Sequence, residues 1–383
     1  MALKVRELPG FNRSDAESKF LKFVAAEFHE RGTPLRKKFS NKLYANEHAK
    51  KRGLTAAEQY KIVHDMDALT HDDLGLRVVL KYGKGWSARG VMLLERVAPG
   101  LYFEHMSLQT MSLQQIRNIQ KKVAGTFSHK EKFWILEEFI QGPQLIGEIP
   151  FDYKFYVFRN RIGFITLNDR NTSPSRLAIL DGAFRPLRVG PDYYFNKEEE
   201  TGIVPVIPRA AAELAWWALK LAQDTDAPMV RIDLYDSVKG PMFGEFTFSP
   251  GGPHKRKFIF SHAKLDYFDS LMTLAEKDLK GESVPDSAYP SDPASQFSGL
   301  INSLSLEEVR ALQLPDTKLY STLSSVAFNN GSRGALRMSE LHDRFANNAQ
   351  TPKEVAVQRQ LSKSWGALRD YLKPGVEYDP NAV

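Results

Sequence analysis

Near the N-terminus, the apolar residues follow the spacing of a helix. Between residues 14 and 32 they recur every three or four positions, at Phe20, Phe23, Val24 and Phe28. This spacing predicts an amphipathic helix. Residues 39–54 and 54–66 predict two more helices, the second of them starting from a Thr55 cap. We therefore expect a helical N-terminal region, residues 1–70.

From residue 76 onwards, short apolar runs with the character of β-strands replace the helical pattern. Such runs occupy residues 76–82, 90–97, 133–140, 153–158 and 161–167. Helical patterns interrupt them after Ser112 and around Trp216 and Trp217. Tryptophans in a helix rich in Ala and Leu are typical of core packing. The alternation predicts an α+β fold with a largely antiparallel sheet.

The last hundred residues have a different composition. A stretch rich in Pro, Ser and Asp, residues 283–299, predicts a linker, and residues 300–383 predict a small helical C-terminal unit. We expect this unit to be a lid, a dimer contact or a partner dock, and the sequence does not rank these roles.

Composition narrows the chemistry. The chain of 383 residues contains no Cys, which excludes disulfides, thiolate metal sites and cysteine nucleophiles. A net charge of +6 favours an anionic substrate or partner, and a nucleic-acid partner is not expected because the basic runs are scattered. No window reaches the roughly 18 apolar residues of a membrane span, and a cytoplasmic location is expected. The oligomeric state stays open, a homo-oligomer included.

Two acidic residues on neighbouring strands form the first candidate site. Asp233 and Glu245 lie in two short apolar runs separated by a turn. Carboxylates that project from adjacent strands to one face supply the hard oxygen ligands that Mg²⁺ prefers. Two solvated acids, or an ion pair with Arg231, would explain the same pattern.

Two further segments carry weaker signals. Lys81 ends a strand and precedes a loop containing Gly83, Gly85, Ser87 and Gly90, which predicts either a phosphate-binding loop or an ordinary hairpin. Residues 133–142, FWILEEFIQG, predict an adenine-binding hinge or an edge strand.

Five motifs in order resemble the TupA-like group of the ATP-grasp superfamily, which is linked to synthesis of bacterial cell-surface polysaccharides. They are NKLYANEHAKKRGL, VVLKYGKGWSARGVMLL, ILEEFI, DYKFYVFRNRIGFITLNDR and VRIDLYDSVKGPMFGEFTFSPGGP, and they lie between about residues 40 and 262. The resemblance implies an ATP-grasp fold in which two α+β subdomains clasp a nucleotide. The small subdomain would be residues 71–141 and the large one residues 142–282.

The resemblance also implies roles for individual residues. Lys81 would contact the nucleotide phosphates under the glycine-rich loop, and Lys154 and Arg231 would be catalytic cations. The hinge would consist of Glu137, Glu138, Phe139 and Ile140. The Mg²⁺ ligands would be Asp233, Glu245 and Thr247, the last standing where many ATP-grasp enzymes have Asn. The candidate substrate contacts are Asp169, Arg170, His254 and Lys255.

These roles imply ATP and Mg²⁺ as cofactors and an ATP-dependent carboxylate–amine ligase that forms an acyl phosphate. Its acceptor would be a small molecule, a polysaccharide or a peptide-like precursor. A kinase acting on a sugar or another hydroxyl, or a non-catalytic nucleotide-binding protein, is the alternative. The ribose contact stays open between Gln144 and Glu148.

Overall fold

The structure is a computed structural model. It describes residues 8–29, 32–86, 88–142, 149–171, 175–196, 205–255, 257–312 and 331–372. The helices are α1 (Lys19–Phe28), α2 (Pro34–Phe39), α3 (Lys42–Lys51), α4 (His71–Leu74), α5 (Leu113–Gly125), α6 (Ala211–Gln223), α7 (Gly251–His254), α8 (His262–Leu279), α9 (Pro293–Asn302), α10 (Leu306–Ala311), α11 (Ser332–Asn348) and α12 (Pro352–Tyr371).

Two six-stranded sheets dominate the architecture, and a two-stranded sheet lies beside them. The strands are β1 (Thr55–Ala56), β2 (Gln59–Val63), β3 (Arg77–Tyr82), β4 (Val91–Ala98), β5 (Leu101–Glu104), β6 (Gln109–Ser112), β7 (Trp134–Glu137), β8 (Asp152–Phe158), β9 (Arg161–Asp169), β10 (Arg176–Asp181), β11 (Tyr193–Phe195), β12 (Val230–Ser237), β13 (Gly240–Thr247) and β14 (Phe258–Phe260). The six-stranded sheet that contains β12 is called the large sheet, and the one that contains β3 is called the small sheet. The α+β fold class with largely antiparallel sheets is confirmed.

The large sheet has the strand order β1-β13-β12-β8-β9-β10. Every pair is antiparallel except β1 with β13. Successive side chains of a strand point to opposite faces. One face carries Phe155, Ile232 and Leu234 into a core shared with α6, α9 and α12. At one end the other face packs Phe158 and Phe164 against α1 and α8, and this face also carries several buried charged residues.

The small sheet has the order β2-β7-β3-β4-β5-β6 and is antiparallel throughout. Val78, Leu80 and Tyr82 alternate towards a core formed with α5, which begins at a capping box of Ser112 and Gln115. The intervening residues Val79 and Lys81 therefore point to the opposite face.

The prediction of a helix at residues 54–66 is wrong. The structure has strand β1 of the large sheet and strand β2 of the small sheet there. The three central residues of β2 are exposed because it is an edge strand, so the segment lacks the alternation of a half-buried strand.

The C-terminal helices complete the large-sheet core. Within the segment predicted as a linker, α9 begins at Pro293, capped by Asp292, and buries Phe297. Trp365 of α12 belongs to the same core. The boundaries of the domains stay a prediction. Among the helices that the structure describes, none is long and apolar enough to cross a membrane.

Candidate functional site

A row of charged side chains crosses the face of the large sheet opposite the core shared with α6. The members of this ionic row are Asp152, Lys154, Arg231, Asp233 and Glu245. Asp233 of β12 lies opposite Lys154 of β8 on one side and opposite Glu245 of β13 on the other. A bulge follows Asp233, where Gly244 is the extra residue, and a Cβ at Gly244 would lie 2.9 Å from the Asp233 carbonyl oxygen. The bulge keeps the two carboxylates side by side while the strands bend.

Arg231 ties this row together. Its guanidinium binds Asp233 through two hydrogen bonds, from Nε to Oδ1 (2.6 Å) and from Nη2 to Oδ2 (2.8 Å). Nη2 also donates to Glu245 Oε1 (2.8 Å) and to Thr247 Oγ1 (2.9 Å). The ion pair proposed as an explanation of the sequence pattern is therefore present, and it joins the three residues expected to bind metal.

Lys154 lies between two buried carboxylates. Its Nζ donates to Asp233 Oδ2, and it lies 2.6 Å from Asp152 Oδ2. Asp152 and Asp233 are only 2% and 1% exposed. Buried acids of this kind need cationic partners, because an unpaired charge in a low-dielectric surrounding is costly.

Neighbouring charges favour the ionised forms of Arg231 and Glu245. Burial opposes the charge of Arg231, and the neighbouring Asp233 outweighs it, so the pKa of Arg231 is raised. Enclosure opposes ionisation of Glu245, but the cations Arg231, Lys154 and Lys42 lower its pKa below the ordinary value. Burial raises the pKa of Tyr156, which lies opposite Arg231 in the register of β8 and β12, to about 12.

Lys42, at the start of α3, is a site residue that sequence reasoning missed. Its Nζ donates to the backbone oxygens of Tyr82 (3.3 Å) and Gly85 (2.6 Å) in the glycine-rich loop. Burial lowers the pKa of Lys42, and the charges of Glu245, Lys81 and Glu137 are close enough to act on it. The first of these belongs to the large sheet and the other two to the small sheet, so Lys42 marks where the two halves of the site meet.

Lys81 projects from the small sheet towards the same place. Its Nζ lies 2.5 Å from Glu137 Oε2, and both side chains are largely buried. The register pairs Val79 with Glu137 and Lys81 with Ile135, so the lysine and the glutamate are diagonal neighbours on one face. The predicted nucleotide lysine is thus held by a residue of the predicted hinge.

The glycine-rich loop is a compact turn whose glycines are required by packing. A Cβ at Gly83 would lie 2.1 Å from the Phe133 ring, and Gly90 has a φ of +79° with Tyr82 2.8 Å from its Cβ position. Gly85 is equally confined, because a Cβ there would lie 2.5 Å from the Arg89 carbonyl oxygen. Ser87, the remaining loop residue of the prediction, lies outside the described residues.

Two bulky residues of the loop are anchored on the end of α5. The rings of Trp86 and Phe127 meet edge to face at 4.4 Å between centroids. Arg89 lies over the Phe127 ring at 4.8 Å and donates to Thr126 Oγ1 (2.6 Å). These contacts hold the loop against the end of α5.

The predicted hinge contacts the β1–β2 connection and the turn between β12 and β13. The Glu138 amide donates to the Glu58 carbonyl oxygen (2.8 Å), and its carboxylate binds Lys239 from the turn between β12 and β13. Phe139 is 7% exposed, with the Arg77 guanidinium 4.4 Å above its ring. The exposure of Ile140 is intermediate. The role of the segment in binding adenine stays a prediction.

One end of the ionic row has unused hydrogen-bonding capacity. Arg170 Nη2 lies 3.4 Å from Asp152 Oδ2, so the structure brings this substrate candidate to the row. Asp152 Oδ1 and Asn168 Oδ1 are buried, with no hydrogen-bond partner within the described ranges. These two residues face each other in the register of β8 and β9. In the sequence of β8, Asp152 stands two residues before Lys154. Because side chains two residues apart in a strand point to the same face, this spacing indicates that Asp152 lies beside Lys154.

The other substrate candidates lie apart from the row. Asp169 Oδ1 accepts hydrogen bonds from Asn171 N and Nδ2, each at 2.9 Å, which explains this acid as part of a local turn. His254 stacks on Phe28 of α1 at 4.0 Å between ring centroids, and Lys255 lies above the same ring. Gln144 and Glu148, the ribose candidates, lie outside the described residues.

The donor set fits Mg²⁺ held jointly by protein and phosphates. Asp233 and Glu245 supply two adjacent carboxylates, and Thr247 adds a hydroxyl next to Glu245. Among the residues that the structure describes, no group of three or more His, Asp or Glu side chains is arranged to hold a metal by itself. Mg²⁺ usually takes one or two carboxylates and completes its shell with water and substrate phosphates.

Comparison with solved structures finds distant likenesses to ligases. The D-alanine–D-alanine ligase from Bacillus anthracis is 14% identical, with a TM-score of 0.37 and coverage of 65% of this chain and 71% of that one. The L-amino acid ligase from Bacillus licheniformis is 16% identical, with a TM-score of 0.37 and coverage of 71% and 57%. For the ATP-grasp ligase PsnB, with Mg and ADP, the identity is 12%, the TM-score 0.33 and the coverage 65% of each chain.

These identities and TM-scores are too low to carry an argument about activity. None of the curated proteins matches the chain. The model of the TupA-like ATP-grasp family matches residues 38–266, more than half of the sequence, and spans Lys42, Lys81 and the ionic row. The chain belongs to the TupA-like ATP-grasp family.

Proposed function

We propose that the protein is an ATP-dependent carboxylate–amine ligase that acts through an acyl phosphate and modifies a cell-surface polysaccharide or a peptide-like precursor. The observation that carries the proposal is the position of Lys42, whose charge interacts with Glu245 of one sheet and with Lys81 and Glu137 of the other. The cations of α3 and of both sheets are therefore close enough to act together on one anion, which supports binding of the ATP triphosphate there.

In the proposed first step, an oxygen of the donor carboxylate attacks the γ-phosphorus of ATP. The bond to the β-phosphate oxygen breaks, and ADP leaves. Both reactants are anions, so Lys42, Lys81 and Lys154 lower the repulsion between them and stabilise the charge that moves to the leaving oxygen. Bound Mg²⁺, held by Asp233 and Glu245, would supply further charge neutralisation.

In the proposed second step, an amine attacks the acyl carbon, the bond to the phosphate oxygen breaks, and the leaving phosphate takes up the proton that the nitrogen loses. Asp152 Oδ1 and Asn168 Oδ1 are unpaired hydrogen-bond acceptors at the end of the row, which suits an N–H donor. Arg170, beside Asp152, would bind an anionic group of the same substrate. Arg231, whose Nε and Nη2 already bind Asp233, Glu245 and Thr247, would steady the acyl phosphate through its positive charge.

Calorimetry with ATP and Mg²⁺ tests the nucleotide site. The wild type is expected to bind, and Lys81→Ala, or the double variant Asp233→Asn with Glu245→Gln, to lose affinity or metal dependence. Lys61→Ala is the matched control, since this lysine of β2 is half exposed and pairs with Asp73 of α4. No binding by the wild type, or unchanged binding by both site variants, would refute the assignment.

Trapping with hydroxylamine tests the reaction class. A panel of amino acids and uronic acids is incubated with ATP, Mg²⁺ and hydroxylamine, because an acyl phosphate converts this nucleophile to a hydroxamate. A ligase is expected to release ADP and form hydroxamate with its donor acid. ADP release with a phosphorylated hydroxyl and no hydroxamate would identify a kinase, and ATP binding without turnover on the panel would favour a non-catalytic protein.

A further inference from the structure

A polar cavity of about 410 Å³ lies on the far side of the large sheet from the ionic row. It opens between the start of α6, helix α10 and the turn that joins β12 to β13. Its charged lining consists of Arg209, Glu213, Lys239 and Arg310. The volume is in the range of small-molecule sites, and the polar lining favours a hydrophilic ligand.

The lining carries an excess of positive charge. It has three basic side chains and one acid, since Arg310 Nε pairs with Glu213 Oε1 at 3.0 Å. Lys239 pairs outside the cavity lining, with Glu138 of the hinge segment. Two of the three cations therefore face the cavity without an acidic partner in its lining.

Arg209 is the clearest sign of an anionic ligand. Its backbone N–H donates to Asp236 Oδ2 (2.9 Å), and its charge acts on that buried carboxylate. Within the part of the chain that the structure describes, no hydrogen bond or ion pair holds its guanidinium. The residue is only partly exposed, and a partly buried guanidinium without a partner has donors left to satisfy.

We propose that this cavity is a second anion site, which binds a small multivalent carboxylate or phosphate compound. Arg209 supplies a planar pair of donors, Arg310 adds the N–H groups that Glu213 leaves unused, and Lys239 adds a largely exposed ammonium. Three cations around one volume favour a ligand with two or more negative groups over a single-charged ion. The site does not depend on the proposed ligase activity.

The same turn links the cavity to the hinge segment. Lys239 binds Glu138, and the amide of Val238 donates to the Gln141 carbonyl oxygen (3.1 Å). An anion that attracts Lys239 weakens its pairing with Glu138. Ligand binding in the cavity is therefore expected to change the affinity for ATP of the proposed nucleotide site, the cleft between the two six-stranded sheets. By linkage, ATP binding then changes the affinity of the cavity for its ligand by the same factor.

Calorimetry on the full chain without Mg²⁺ tests the site, with citrate and pyrophosphate as separate probes. One probe molecule is expected to bind per chain, and Arg209→Ala and Arg310→Ala should each weaken binding about tenfold or more. Arg96→Ala is the matched control, because this exposed arginine lies in β4, away from the cavity. Preference for citrate would indicate a carboxylate ligand, and preference for pyrophosphate a phosphate ligand.

The variant Lys81→Ala shows whether the probe binds in the cavity or at the proposed nucleotide site. Probe binding that survives Lys81→Ala and is weakened by Arg209→Ala supports the proposal. Probe binding abolished by Lys81→Ala, no binding by the wild type, or equal binding by wild type and Arg209→Ala would overturn it. Melting temperatures of the variants exclude misfolding as a cause of lost binding, and Arg209→Lys, which keeps the charge, should recover part of the affinity.

A second titration tests the link to the hinge. The Kd for ATP is measured with and without saturating citrate, in the wild type and in Lys239→Ala. A change of about fivefold or more in the wild type, reduced in the variant, is expected. An ATP affinity that is independent of citrate in the wild type would refute the coupling.

Discussion

Asp236 allows a direct test of how burial changes the pKa of a carboxyl group and, through it, the stability of the protein. Its side chain lies on the core-facing side of β12 and is 6% exposed. Oδ2 accepts the Arg209 amide (2.9 Å), whereas Oδ1 is buried, with no hydrogen-bond partner in the described segments. Burial raises the pKa of Asp236 from its ordinary 3.8 to about 6, against the attraction of Arg209.

We predict that Asp236→Asn stabilises the protein at and above neutral pH. The folded-state pKa is raised, so the stability that Asp236 contributes is fully present below 3.8 and is lost as the pH rises through about 6. The difference between these two pKa values corresponds to about 3 kcal/mol, at about 1.36 kcal/mol per unit. The amide stays neutral at every pH, and its oxygen can still accept from Arg209.

Thermal unfolding monitored by circular dichroism measures the effect. For 383 residues, an unfolding entropy of about 2.1 cal/mol/K per residue amounts to about 0.8 kcal/mol/K, so the full gain raises Tm by ~4 °C. The gain should be full at pH 8 and shrink towards pH 4. Asp72→Asn is the control, because this exposed acid undergoes the same chemical change without burial. A lower or unchanged Tm for Asp236→Asn at pH 8, or a gain that does not vary with pH, would refute the reasoning.

Three other substitutions test the site. Lys42→Ala should weaken ATP binding about tenfold or more by calorimetry, because a buried cation is lost, whereas Lys51→Ala, at the exposed end of the same helix, should bind normally. Arg231→Lys should lower ATP turnover, measured as ADP release, about a hundredfold, since one ammonium cannot replace the forked contacts; wild-type turnover would exclude this role. Gly83→Ala should lower Tm because its Cβ would overlap the Phe133 ring, and an unchanged Tm would contradict the packing.

The strands that form the site were predictable because their patterns are local. In β8 and β12, apolar residues alternate with a few charged ones, and the alternation alone places Lys154 and Asp233 on definite faces. The five ordered motifs then identified the family, which the match over residues 38–266 confirms. The short turn alone would place Gly244 opposite Asp233, and the bulge at Gly244, which no local pattern predicts, brings Glu245 there instead.

The missed features depend on tertiary packing. Lys42 is one of several lysines on a basic helix, and only the docking of α3 beside the glycine-rich loop distinguishes it. Buried and exposed residues do not alternate along edge strand β2, so the apolar pattern of its sequence does not indicate a strand. Helix α8, by contrast, carried a signal that was overlooked, because its buried apolar residues have helical spacing: Leu265, Phe268, Leu271, Met272 and Ala275.

The short connection from β1 to β2 has a mechanical consequence. The chain leaves the large sheet at Ala56 and enters the small sheet at Gln59, and the return path after β7 starts beside it, tied by the hydrogen bond from the Glu138 amide to Glu58. We expect two crossings that start side by side and are tied together to resist sliding of one sheet past the other more than rotation about the line through them. A small dihedral change at Ala57 or Glu58 should then change the distance between the two sheets, and with it the width of the cleft between them.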